Sequence, residues 1–86
     1  MTARPVSEIV DTIVSFVNRE IMAPGHVIGA KERFDAAGVD SMALLKVLLH
    51  IEQECGFWVP DEDLTEANVA SADSLGRYVA RRLAGE

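Results

Sequence analysis

Residues 38–56 read GVDSMALLKVLLHIEQECG, and the period of their apolar side chains decides the fold. At about 100° per residue, Leu44, Val47, Leu48, Ile51 and Cys55 fall on one stripe of an α-helix, wide enough to face a core. Asp40 and Ser41 are both residue types that cap helix starts, and Gly56 suits the left-handed backbone that ends one. The helix is therefore expected over about 41–55. Met42, Leu45 and Leu49, spaced three and four apart, make a second apolar row that a small helical core cannot wholly cover. Such a row is either surface padding or a strip on which partner proteins dock, and polarizable Met beside contiguous aliphatics suits the second use.

Upstream, Val6, Ile9, Val10, Ile13, Val14, Val17 and Ile21 keep helical spacing, with Glu8, Asp11, Asn18 and Arg19 on the other face. A first helix over about 6–22 follows, stopped by Pro24-Gly25. The connection over about 23–40 is much longer than the usual ~2 to 8 residues between bundle helices, so it needs anchors. Phe34 and Val39 are the expected anchors, and Gly25, Gly29 and Gly38 the expected bends. Downstream, Phe57, Trp58 and Val59 are expected to turn back into the core before Pro60. Asp61-Glu62-Asp63 then precedes a short helix over about 64–69. Ser71 caps a last helix over about 72–84, with Ala72, Leu75, Tyr78, Val79 and Leu83 inward, Arg77, Arg81 and Arg82 outward, and Ala84-Gly85-Glu86 fraying. The expected fold class is all-α: one domain over 1–86, a small bundle of three principal helices plus one short helix, with a long loop between the first two.

Composition removes several classes of function. An 86-residue chain with 49% apolar and 6% aromatic residues builds one modest core and no deep catalytic cleft. A net charge of -6 argues against nucleic acid or anionic membrane as partner, since both demand clustered Lys and Arg. Met1-Thr2-Ala3-Arg4-Pro5 has no apolar signal core, and Lys46, His50 and Glu52 interrupt the second helix, so a cytoplasmic protein is expected. The single cysteine, Cys55, excludes an intrachain disulfide. Two histidines with no paired metal-ligand spacing, and an acidic run lacking the glycine of a calcium loop, make no metal site. With no long heptad seam, a monomer is expected.

Ser41 is the one candidate for covalent chemistry. A serine nucleophile needs a general base within hydrogen-bond reach, and only His26 and His50 are available. His50 lies about 13 Å further along the same helix on roughly the opposite side, so it cannot serve. His26 stands in the loop, but no Gly-x-Ser-x-Gly elbow surrounds Ser41. Two roles remain open from local sequence: a simple helix-start residue, or a hydroxyl bearing an anion that the helix N-terminus would stabilise.

Taken together, Phe34, Gly38-Val39-Asp40-Ser41-Met42, the apolar helix to Ile51-Glu52, Gly56, Pro60 and the Leu75-Tyr78-Val79 ending resemble the acyl carrier and peptidyl carrier protein family over nearly the whole chain. The resemblance implies that a phosphopantetheinyl transferase moves 4'-phosphopantetheine from coenzyme A onto Ser41, with Asp40 as the flanking motif residue. It implies a non-catalytic protein whose acyl or aminoacyl cargo is a thioester on the arm, and gives Cys55 no part in that chemistry. The implied partners are the transferase, an acyl- or aminoacyl-loading enzyme and a downstream synthase or transferase, docking around Met42, Leu45, Lys46, Leu49 and Glu52. The chain departs from fatty-acid carriers in having Met42 after the serine and Lys46 and His50 within the helix. It departs from peptidyl carriers in Gly38-Val39. These departures resemble discrete carriers of specialised polyketide or nonribosomal-peptide pathways; a housekeeping fatty-acid carrier and an unmodified helical adaptor are the alternatives.

Overall fold

The computed structural model describes residues 5–85. The readings of Met1–Arg4 as lacking a signal core and of Glu86 as fraying lie outside the described residues. The described chain is all-helical. Helix α1 covers Val6–Phe16 and runs directly into a π-helical turn, Val17–Ile21. Helix α2 covers Ser41–Cys55, a 3₁₀ turn covers Asp61–Asp63, α3 covers Glu66–Val69 and α4 covers Ala72–Leu83.

The core forms where the three long helices meet. Ile9, Val10, Ile13 and Val17 face Val47, Leu48 and Ile51 of α2 and Leu75, Tyr78 and Val79 of α4, all of them buried. Leu44 and Cys55, at the two ends of the α2 stripe, are only half-buried. Helices α1 and α4 approach closely at Gly76, where a Cβ would stand 2.5 Å from Val10 Cγ2 and 3.2 Å from Val10 Cα. Only glycine fits there.

The long connection is anchored at three points rather than two. Phe34 and Val39 are buried, and so is Ile28. Burying the Ile28 backbone obliges its polar groups to find partners, and Asn18 supplies both: its Oδ1 accepts from the Ile28 N–H (2.8 Å) and its Nδ2 donates to the Ile28 carbonyl (3.2 Å). Asn18 therefore does not lie on a solvated outer face, as its polarity led us to expect. It faces the loop because the loop needs it. Further along, Phe34 N–H donates to the Ala70 carbonyl and Asp73 N–H to the Ala30 carbonyl, each at 2.8 Å, tying the loop to the start of α4. Gly38, at φ 86°, makes the bend that returns the chain to Val39, whereas Gly29 has an ordinary backbone angle.

Downstream, two expectations are corrected. Trp58 is 46% exposed while Val59 is fully buried and Phe57 half-buried. Residues 57–59 lie outside any helix, in the connection between α2 and the 3₁₀ turn, and only Val59 of the three is fully buried. The short helix also begins later than 64: Leu64 closes the 3₁₀ turn, and Thr65 leaves helical geometry to cap α3 by accepting from Asn68 N–H. At α4, Ser71 and Ser74 form a reciprocal capping box, each hydroxyl accepting the other's backbone N–H. Among the described residues no helix is long and apolar enough to cross a membrane.

Candidate functional site

The start of α2 is set by two side chains on either side of one peptide. Val39 is buried and fixes where the chain leaves the core; Asp40 then caps the helix, its Oδ1 accepting from Ala43 N–H at 2.9 Å. Ser41, the first helical residue, is left exposed. Neither its hydroxyl nor the backbone N–H groups of Ser41 and Met42 meet a protein partner among the described residues. Unpaired N–H groups at a helix start carry partial positive charge, so an anion placed there is stabilised.

Beside Ser41 opens a cavity of about 260 Å³ with apolar walls from Phe34, Val39, Leu44, Val69 and Ala70. Leu44 is half-buried because it faces this cavity as well as the core. Four charged residues also line it: Arg33, Asp35, Asp40 and Glu66. Arg33 grips Asp35 with two hydrogen bonds, Nε to Oδ1 at 3.0 Å and Nη2 to Oδ2 at 2.9 Å, and reaches Glu66 at 3.4 Å. The hydrogen bond from Arg33 holds the Asp35 carboxyl below its usual range, and the same pairing raises the guanidinium.

No histidine lines this cavity. His50 lies on the seam between α1 and α2, stacked on Phe16 with ring centroids 4.3 Å apart, and burial there lowers its pKa against the opposing pull of Glu54. His26 is exposed in the loop. Among the described residues no group of three or more His, Cys, Asp and Glu is placed to hold a metal.

Met42, Leu45 and Leu49 are exposed at 67%, 43% and 46%, and Lys46 and Glu52 are exposed beside them. Helical geometry places all five within about a third of the circumference of α2. Sequence reasoning did not reveal the cavity or Arg33 beside it, because both depend on the loop meeting α2 and α3, which no local pattern encodes.

The family described as "Phosphopantetheine attachment site" matches residues 11–79, a span that includes Ser41 and the whole of α2. The chain belongs to this family. It is a phosphopantetheine-carrying carrier protein, its cofactor is covalently held 4'-phosphopantetheine, and it is a carrier and not an enzyme. Among solved structures, the carrier protein's fold is similar to a chain in the crystal structure of Bradyrhizobium japonicum glycine:[carrier protein] ligase complexed with glycylated carrier protein. That likeness has a TM-score of 0.64 at 21% identity and covers 84% of this chain and 95% of that one. No curated protein matched the carrier protein's sequence.

Proposed function

We propose that Ser41 is the residue that bears 4'-phosphopantetheine, and that residues 1–86 work as one carrier domain. The observation that carries this reading is the exposed Ser41 hydroxyl at the first turn of α2, next to two backbone N–H groups, none of which has a partner among the described residues. The site fits the group. A phosphodiester there gains about 0.3 to 1 kcal/mol from the helix N-terminus, and Asp40, occupied in capping Ala43 N–H, keeps the serine at a fixed point of the first turn.

In the attachment step Ser41 Oγ bonds to the phosphorus of coenzyme A that carries pantetheine. The pyrophosphate P–O bond breaks, and adenosine 3',5'-bisphosphate leaves with the electron pair. The hydroxyl proton goes to a base of the phosphopantetheinyl transferase, since His50 is held on the α1–α2 seam and no histidine lines the Ser41 cavity. When bound, the group supplies a terminal thiol that holds an acyl or aminoacyl cargo as a thioester. The structurally similar chain comes from a complex of a ligase with a glycylated carrier protein, which supports an aminoacyl-loading enzyme as a partner of this chain too.

The loading enzyme and a downstream synthase or transferase dock on Met42, Leu45, Lys46, Leu49 and Glu52. Exposed apolar side chains dominate that surface and Lys46 stands within it, a balance that favours a specialised polyketide or nonribosomal-peptide pathway in the cytoplasm over housekeeping fatty-acid synthesis. The protein works as a monomer.

Incubation with coenzyme A and a broad-specificity transferase should add one phosphopantetheine to the intact mass of the wild type and none to Ser41→Ala. No gain in the wild type, with partner binding retained, would favour an unmodified adaptor that uses the same exposed row. Leu45→Glu or Leu49→Glu should slow cargo loading at least tenfold with far-UV circular dichroism unchanged, about the effect of losing 1.4 kcal/mol at an interface. Loss of the helical signal in those variants would show that the row belongs to the core.

A further inference from the structure

Arg33 and Ser41 are eight positions apart in sequence, yet both line the same cavity. The reason is a closed turn: Val39 N–H donates to the Phe34 carbonyl at 2.9 Å, and both side chains are buried, so the residues flanking the turn, Arg33 and Asp40-Ser41, emerge together. Among the described residues Arg33 is the only cation lining this cavity, against the carboxylates of Asp35, Asp40 and Glu66. A phosphodiester on Ser41 adds a further negative charge to that set; the helix N-terminus offers it partial positive charge, and Arg33 offers a full one.

The guanidinium has the means to do so. Its two bonds to Asp35 use Nε and Nη2; its contact with Glu66 is a single long one of 3.4 Å to a side chain that is 85% exposed, and among the described residues Nη1 makes no bond to a carboxylate. An exposed monodentate pair is weak, whereas the planar fork of arginine matches phosphate oxygens. The backbone beside Arg33 is pinned by the Phe34–Ala70 hydrogen bond, so exchanging partners requires only a side-chain movement.

Resting on the assignment of Ser41 above, we propose that Arg33 is the counter-cation of the Ser41 phosphodiester and gives up Glu66 to take it. Attachment of the arm thus unties the loop from α3 at this point. The unmodified and modified proteins then present different charged surfaces beside the arm, a difference that a loading enzyme can read.

Phosphorus NMR of the modified protein tests this, with mass spectrometry first confirming that the arm is on Ser41. The phosphodiester resonance should move from its wild-type position in Arg33→Gln, move less in Arg33→Lys, and stay in place in Arg77→Gln, whose arginine pairs instead with Asp73. A resonance unmoved by Arg33→Gln, in a variant whose amide spectrum shows the native fold, overturns the role of Arg33 and leaves Ser41 as attachment site. An arm found on another residue overturns both.

Discussion

Glycine inside a helix ordinarily costs about 0.5 to 1 kcal/mol relative to alanine, so replacing Gly76 by Ala would stabilise an exposed helix. Here the new methyl would meet Val10 Cγ2 at 2.5 Å and Val10 backbone atoms at 3.2 Å. A β-branched side chain on a helix has little rotamer freedom, and the backbone has less. Overpacking should win: Gly76→Ala is expected to destabilise by about 1 to 3 kcal/mol, read as a lower urea midpoint, and an unchanged or higher midpoint would refute the close approach of α1 and α4. Tyr78 gives a second test at this scale. Its hydroxyl donates to Asp63, which also accepts from Arg82, while the Arg82 guanidinium lies 5.4 Å from the Phe57 ring centroid. Burial first, then the hydrogen bond and charge of Asp63, push the phenol from 10.0 up to about 12. Folding therefore favours the neutral phenol, and its contribution is whole below pH 10.0 and lost as pH rises through about 12. The stability difference between wild type and Tyr78→Phe should be constant below pH 10.0 and shrink above it; a difference that stays flat to pH 12 contradicts the assignment.

At the scale of elements, the loop between α1 and α2 depends on one polar side chain. Asn18→Ala would leave the N–H and carbonyl of buried Ile28 without their partners, at a cost of about 1 to 3 kcal/mol. Hydrogen exchange at the Ile28 amide should accelerate while α2 keeps its protection, and an unchanged Ile28 rate would show that Asn18 does not hold the loop. Residue patterns alone revealed the three long helices because each carries an apolar stripe at helical spacing. Val47, Leu48 and Ile51 are buried on α2, and Leu75, Tyr78 and Val79 on α4. What escaped them has a common cause. Asn18 looked solvated because its partner is backbone ten residues away, and Trp58 looked buried because apolarity says nothing about which side of a connecting segment a side chain takes. Thr65 broke the short helix because a capping residue competes with helix continuation.

Over the whole molecule, charge and apolar surface are distributed unevenly. The chain carries a net charge of -6, yet the exposed strip of α2 from Met42 to Leu49 holds Lys46 and no carboxylate. On the docking role proposed above, such a strip would meet a partner through apolar contact more than through acidic attraction, in keeping with the loss of loading expected for Leu45→Glu and Leu49→Glu. The candidate site was only half legible in the same sense. Local sequence left Ser41 either a simple helix start or a hydroxyl bearing an anion, and the unpaired N–H groups beside it come with any helix start; the cavity next to it is a product of the loop folding back on α2. The central claim is that this serine, and no other residue, takes the arm. Trypsin cleaves after Arg33 and Lys46, and the peptide between them, residues 34–46, contains Ser41 as its sole hydroxyl-bearing residue. After treatment with coenzyme A and transferase, that peptide is predicted to carry the whole phosphopantetheine gain, and an unmodified 34–46 peptide beside a modified one from elsewhere in the chain would contradict the account.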